Sequence, residues 1–365
     1  FATLRAQGVT ASQEEDLAFC ATATRAALAR QHARLLDRLE RGFVRECHGD
    51  LHLANLVSLD AGITAFDCLE FNPNLRWIDT ISDVAFLFMD CLVRQRGDLA
   101  YVFVDGSADR SGDYQGLVLL PLYAAYRSMV RAKVAALQLA QNPGDEAAVI
   151  RLQTHLTWTA QRLARESAIA EPVGGDPDRG ADGAGPRLIL MCGLSGSGKS
   201  VLATRLVPVL HALRLRSDVL RRTLAGLDRS ARSGASLGSG LYAPARVGAV
   251  YASLGDLSEL LLQSGETVIL DATFLDARRR RAALERAERA GVPAVVLYCD
   301  APYPVLRERV GAREAEGRDP SEAGLAVLDA QRRRFEPPAA GEPVIRVDTS
   351  GDVDLASLQT RLRLA

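Results

Sequence analysis

The stretch Leu188–Ser200 reads LILMCGLSGSGKS, and its reading decides the fold of the second half of the chain. An unbroken apolar run of this length, bounded by glycine, predicts a strand buried on both faces. Gly193–Ser200, GLSGSGKS, then fits the pattern G-x-x-x-x-G-K-[ST], and Lys199–Leu210 continues with apolar residues at helical spacing. A strand before and a helix after are the context in which this pattern carries meaning. Its glycines let the backbone turn with N–H groups pointing inward, an anion nest at a helix N-terminus. The expected phosphate contacts are Gly193, Ser195, Gly196, Ser197, Gly198, Lys199 and Ser200. Lys199 would reach the outer phosphates of ATP, and the Ser200 hydroxyl would ligate Mg2+.

Outward from this loop the rhythm repeats. Short apolar runs (ALRLR, TVILDA, AVVLYC, VIRVD) alternate with helical stretches, among them Val219–Ala225, Tyr242–Gln263 and Ala277–Ala290. Strands alternating with helices predict parallel βαβ units and a doubly wound α/β sheet. In such sheets ligands bind beyond the carboxyl ends of the strands. RSDVLRR, Arg216–Arg222, follows the second strand. Asp218 there could accept the proton of an acceptor hydroxyl, and Arg221 could hold an anionic acceptor. Helix capping by Ser217 or Asp218 is the competing structural role. TVILDATF ends a buried strand in Asp271, suited to orienting Mg2+ or its water; capping of the helix at Asp276–Arg281 is the alternative. In LRERVGAREAEGRDPS, Leu306–Ser321, Arg309 and Arg313 share one helical face. Arginines in a lid after the fourth strand could neutralise charge developing in phosphoryl transfer. Arg278–Arg281, RRRR, reads mainly as solvated surface, because consecutive charges point around most of a helix.

Together GLSGSGKS, RSDVLRR, VILDATF and the RxxxR pair resemble the small P-loop kinases, a group that includes gluconate-kinase-like, zeta-toxin-like and polynucleotide-kinase-like proteins. The resemblance runs from about Arg187 to the C-terminus. It implies Asp218 as base and Arg221 as contact to the acceptor's phosphate; Lys199, Arg309 and Arg313 are the candidate catalytic cations.

The first half is mostly helical in pattern, over about Gln13–Arg41, Ile78–Arg96, Tyr114–Gln141 and Asp145–Ser167. Strand-like pieces at Phe43–Cys47 and Leu56–Phe66 bracket HGDLHLAN, His48–Asn55. This loop, with FDCLEFNP and IDTISDVAFL, resembles the aminoglycoside phosphotransferase and choline kinase group. The arrangement of both halves resembles a bacterial two-part family, an aminoglycoside-phosphotransferase-like domain fused to a P-loop ATP-binding domain. The resemblance implies Asp50 as catalytic base, Asn55 and Asp67 as metal ligands, and a protein-kinase-like C-lobe. No glycine-rich loop, ATP-binding Lys strand or partner Glu helix precedes it, so the nucleotide-gripping lobe is expected before residue 1. His48 is expected to brace the loop, and Asp83 to tie loop to helix.

Ala168–Pro186 is dense in Gly, Pro, Asp and Ala without hydrophobic period, and predicts a linker. The expected organisation is therefore a kinase-C-lobe-like domain over 1–167, a linker over 168–186 and a P-loop domain over 187–365. A chain of 365 residues with 48% hydrophobic and 24% charged residues has the composition of a globular protein. The net charge of −1 supplies no global basic excess for nucleic acid. No apolar run approaches the roughly 20 residues that cross a bilayer. The six Cys form no CxxC pair, and the expectation is reduced thiols in a cytoplasmic protein. The N-terminal FATLRAQGVTASQEED is no signal peptide and lacks an initiator Met, which suggests a start inside a longer protein.

The function expected from these features is ATP- and Mg2+-dependent transfer of the γ-phosphate to a hydroxyl acceptor, small-molecule or nucleotide-like. A nucleic-acid 5′ end stays among the acceptors without being favoured. The alternative is an ATP-binding switch module coupled to the kinase-like first half.

Overall fold

The computed structural model of the chain describes residues 1–6, 11–170, 185–227, 243–316 and 324–364. Contacts divide the chain into two compact units, Phe1–Val104 with Gln115–Glu171, and Asp105–Tyr114 with Pro172–Ala365. Residues 105–114, expected with the first half, therefore belong to the second unit.

The first unit contains α1 (Ala2–Ala6), α2 (Ala11–Glu40), β1 (Val44–Glu46), β2 (Leu56–Leu59), β3 (Gly62–Ala65), β4 (Trp77–Asp79) and α3 (Thr80–Val93). After α4 (Gly97–Ser111), whose C-terminal part lies in the second unit, come α5 (Leu120–Gln141) and α6 (Glu146–Ala170). Helices α2, α5 and α6 bury one apolar cluster that includes Leu17, Ala132, Leu152, Leu156 and Leu163. The single strand expected over Leu56–Phe66 is instead a hairpin, β2 pairing antiparallel with β3 around a turn at Asp60 and Ala61. Helix α4 was not among the helical stretches expected from the sequence; Gly106 sits inside it, and its buried Ala100, Tyr101, Val104 and Ala108 fall at helical spacing. The helix α6 runs on to Ala170, into the expected linker; residues 171–184 lie outside the described residues.

An ion pair stitches α2 to the start of α3. Arg38 Nε and Nη2 each donate to Asp79 at 2.7 Å, with side chains 2% and 4% exposed. Asp79 also caps α3, accepting from the Ile81 amide.

The second unit is built on five parallel strands, β5 (Leu188–Cys192), β6 (Ala212–Arg216), β7 (Thr267–Asp271), β8 (Ala294–Asp300) and β9 (Val344–Asp348), in the order β6-β7-β5-β8-β9. The connecting helices are α7 (Lys199–Leu210), α8 (Ser217–Leu224), α9 (Pro244–Gln263), α10 (Ala277–Arg289), α11 (Tyr303–Glu316) and α12 (Leu325–Arg334), with α13 (Leu355–Leu364) last. Helix α7 packs on β5, β6 and β7 and against α13; α9 and α10 pack on the sheet and on each other. All five side chains of β5 are buried, as the unbroken apolar run required. All six cysteines carry free thiols. No helix among the described residues is long and apolar enough to cross a membrane.

One surface expectation is corrected. Arg278 is exposed, but Arg280 is completely buried. Its guanidinium clamps Glu342 through Nε at 2.7 Å and Nη2 at 2.9 Å, and donates to the Phe274 and Glu336 carbonyls. The helix turns this one residue of the four towards the sheet, where a carboxylate and two carbonyls satisfy it.

Arg38→Ala leaves Asp79 buried beside a cavity with its charge uncompensated. The expected loss is about 3–5 kcal/mol in a urea unfolding experiment; a loss under about 1 kcal/mol, the range of exposed pairs, would contradict this reading of the ion pair.

Candidate phosphate-binding and acceptor site

Parallel pairing fixes where the chemistry gathers. In the ladder Met191 faces Asp271, and Asp271 faces Arg216 on the other side. The loop after β5, the carboxylate ending β7 and the α8 turn after β6 therefore emerge at the same end of the sheet, the end where open α/β sheets bind ligands.

The loop turns where only glycine fits. Gly193 has φ +146° and Gly196 φ +80°. A Cβ on Gly193 would stand 2.5 Å from the Cys299 carbonyl, and one on Gly196 would stand 2.7 Å from the Leu306 carbonyl. The loop then enters α7 at Lys199 through a left-handed Gly198. Lys199 Nζ donates to the Leu194 carbonyl at 3.3 Å, folded back over the loop. Thr349 Oγ1 donates to the Ser197 carbonyl at 2.7 Å and fastens the loop from the end of β9.

Ser200 Oγ donates to Asp271 Oδ1 at 2.9 Å. The other oxygen, Asp271 Oδ2, is buried without a hydrogen bond. Arg216 Nε and Arg214 Nη1 stand 3.6 and 3.7 Å from it, too far to donate. A hydroxyl and an unsatisfied carboxylate oxygen beside the glycine turn are the hard oxygen donors that Mg2+ takes, so the residues fit that ion. Burial lowers the affinity of Arg216 for its proton, but the carboxylates of Asp271 and Asp109 outweigh it and the net shift is upward.

Asp218 lies in the first turn of α8, with its side chain 27% exposed and paired to Arg221 Nη1. Arg216 is the N-cap residue of α8 and its side chain makes no capping hydrogen bond. Burial pushes its carboxyl up, but the Arg221 charge and hydrogen bond, then Arg216 and Lys199, outweigh this and hold it below the usual range. A depressed carboxyl adds stability at neutral pH, lost as pH falls from the unfolded value near 3.9 through the folded one.

Arg309 and Arg313 lie one turn apart on α11. Arg309 donates to the carbonyls of Gly196 at 3.4 Å and Thr349 at 2.7 Å, bracing loop and β9 together. Arg313 is half-buried. Residues 317–321 of the expected lid lie outside the described residues.

The sequence reading missed four contributors. Gln331 Oε1 on α12 accepts from the Ser195 amide at 2.8 Å. Thr349 fastens the loop. Arg214 and Arg216 stand beside Asp271. Only the last pair left a sequence signal: two arginines at strand period within ALRLR, an otherwise buried strand, demand acidic partners.

In the first unit Asn55 Nδ2 donates to the Asp50 carbonyl at 3.0 Å and to Asp50 Oδ2 at 3.2 Å. The His48 and Gly49 amides both donate to Asp83 at 3.0 Å, and the His48 ring meets the Phe66 carbonyl at 2.8 Å. Hydrogen bonds to His52, against a smaller cost of burial, hold the Asp50 carboxyl below its usual range. Asp67 is exposed, with φ +59°. Among the described residues no three His, Cys, Asp or Glu side chains converge on a point that could hold a metal ion.

With this geometry in view, residues 188–338 match the protein family described as AAA domain. The match lies within the second unit and includes none of the residues before 188. Uncharacterised proteins of Mycobacterium tuberculosis and Mycobacterium bovis are 34% identical over 315 residues, 86% of this chain. The chain spans 58% of the length of these relatives. Among solved structures, the Mycobacterium tuberculosis APS kinase in complex with AMPPNP and APS is similar at 21% identity and TM-score 0.37, covering 50% of this chain and 98% of its own. A gluconokinase from Sinorhizobium meliloti is similar at 20% identity and TM-score 0.34, covering 49% and 90%.

Arg221→Gln removes the main cation beside Asp218. The expected outcome is an upward shift of the Asp218 carboxyl titration, followed by carbon NMR of the side chain; an unmoved titration would contradict the assigned cause.

Proposed function

We propose that the second unit is an ATP- and Mg2+-dependent phosphotransferase that passes the γ-phosphate to a hydroxyl acceptor. The observation that carries the proposal is the hydrogen bond of Ser200 to Asp271 at the mouth of the glycine turn, with Asp218 and Arg221 following the neighbouring strand. Loop amides and Lys199 hold the triphosphate. Ser200 and Asp271 would hold Mg2+, which when bound draws the phosphate oxygens together and neutralises their charge. Asp218, kept ionised, receives the proton of the acceptor hydroxyl as the oxygen attacks phosphorus. Arg221 releases its hold on Asp218 in part and contacts an anionic group of the acceptor. Arg309 and Arg313 offset charge on the transferred group from α11.

The acceptor is a small molecule or a nucleotide-like alcohol. An ATP-dependent switch needs Lys199 but has no use for an ionised carboxylate turned towards an acceptor. A second reading concerns the first unit, where the Asp50–Asn55 hydrogen bond supports a loop of the aminoglycoside phosphotransferase kind. In that role Asp50 is the base, and Asn55 with Asp67 would hold a metal ion.

Lys199→Ala is expected to weaken ATP binding by about 1.5–3 kcal/mol, roughly 10–150-fold, in a calorimetric titration; unchanged affinity would refute the phosphate cradle. Asp218→Asn should bind ATP normally and fail to label any hydroxyl acceptor from radiolabelled ATP. Full transfer by that variant would refute its role as base. If neither the wild type nor the variant labels an acceptor across a broad screen, the switch reading gains.

A further inference from the structure

The β6 strand carries two arginines that stand beside the carboxylate that the proposed function reserves for Mg2+. Arg216 faces Asp271 directly in the ladder, and Arg214, two residues earlier, lies on the same side of the strand. Left to themselves, two buried guanidiniums would close on Asp271 Oδ2, which has no hydrogen bond of its own. Yet they stay 3.6 and 3.7 Å away, close enough to pair with its charge but beyond hydrogen-bonding distance.

The reason lies about a hundred residues upstream, in the part of α4 that belongs to the second unit. Arg214 Nε and Nη2 donate to the two oxygens of Asp105 at 2.9 and 2.8 Å. Arg214 Nη1 donates to Thr204 Oγ1 at 2.6 Å. Arg216 Nη1 donates to Asp109 Oδ1 at 2.6 Å, and the Arg216 amide donates to the buried Tyr114 hydroxyl at 3.2 Å. The spacings match. Residues four apart on a helix have Cβ atoms about 5–6 Å apart, and residues two apart on a strand are about 6.5 Å apart. Each acid on α4 thus meets one arginine on β6. The approach is close: a Cβ on Gly112 would stand 2.3 Å from Thr223 Oγ1 of α8.

We propose that Asp105 and Asp109 are positioning residues of the phosphate site, which hold Arg214 and Arg216 off Asp271 and leave its second oxygen free for the divalent cation. The inference rests on the reading of Asp271 as the cation-binding carboxylate. It assigns residues 105–114, which lie far before the glycine turn in sequence, to the working P-loop unit. In place of a bare carboxylate the site presents one that is screened by two nearby cations and bonded by neither, so its charge stays available to a hydrated ion.

The test uses the full chain and reads divalent-cation affinity directly, as Mn2+ binding followed by electron paramagnetic resonance with a non-hydrolysable ATP analogue present. Asp109→Asn frees Arg216 to bond Asp271. The expected outcome is Mn2+ affinity about tenfold weaker, the effect of one charge-assisted hydrogen bond of about 1.4 kcal/mol. Removing the arginine as well, in Asp109→Asn/Arg216→Met, is expected to restore the wild-type affinity. A role in stability alone predicts the reverse, a double variant no better than the single one, and that result would overturn the inference. Wild-type Mn2+ affinity in Asp109→Asn, with a folded circular-dichroism spectrum, would overturn it too. Should Asp109→Asn fail to fold, Arg216→Met alone decides: affinity at or above wild type supports the inference, and weaker affinity contradicts it. If the wild-type chain binds no divalent cation with the analogue, the failure lies with the phosphotransferase reading itself, and the inference falls with it.

Discussion

The parallel pairing of β5 with β7 is the constraint on which the second unit depends. It sets Met191 opposite Asp271, and so brings the loop that follows one strand and the carboxylate that ends the other to the same edge. The Ser200–Asp271 hydrogen bond spans 71 residues of sequence and exists only because of that register. A slip of one residue would turn Asp271 to the other face of the sheet. The apolar run of β5 fixes the strand in the centre, where burial on both faces makes slippage costly.

Charge in this unit is organised around the same edge. Arginine is always ionised, and a buried guanidinium needs acidic or carbonyl partners. Arg280 finds Glu342 and two carbonyls, Arg309 finds the carbonyls of the loop and of β9, and Arg214 and Arg216 find Asp105 and Asp109. Each pairing gives a cation a fixed post. Asp218 pairs instead with its own helical neighbour, Arg221, three residues on. In the first unit Asp83 does comparable work with backbone donors, accepting two consecutive amides of the His48–Asn55 loop and fixing its path onto α3.

Much of the second unit was legible because local signals agreed. The five strands stood out as short apolar runs, and the glycine turn between β5 and α7 carried its chemistry in its spacing. What sequence could not show was which side chains meet across long separations. Nothing near Asp105 announces that its partner is Arg214; the buried face of α4, with Ala100, Tyr101, Val104 and Ala108 at helical spacing, says nothing of the acids beside it. Arg280 was hidden inside a run of four arginines, where composition suggests solvent and only the helix rotation says otherwise. The β2–β3 hairpin was read as one strand because its turn, at Asp60 and Ala61, carries neither of the usual Asn-Gly or Asp-Gly pairs.

The central claim is that inward-facing amides of the glycine turn cradle a triphosphate. Hydrogen–deuterium exchange of residues 193–200, measured with and without ATP and Mg2+, reads those amides directly. The account predicts strong slowing across Gly196–Ser200 when ATP is added. Unchanged exchange there, with ATP bound and protection appearing elsewhere in the chain, would contradict it.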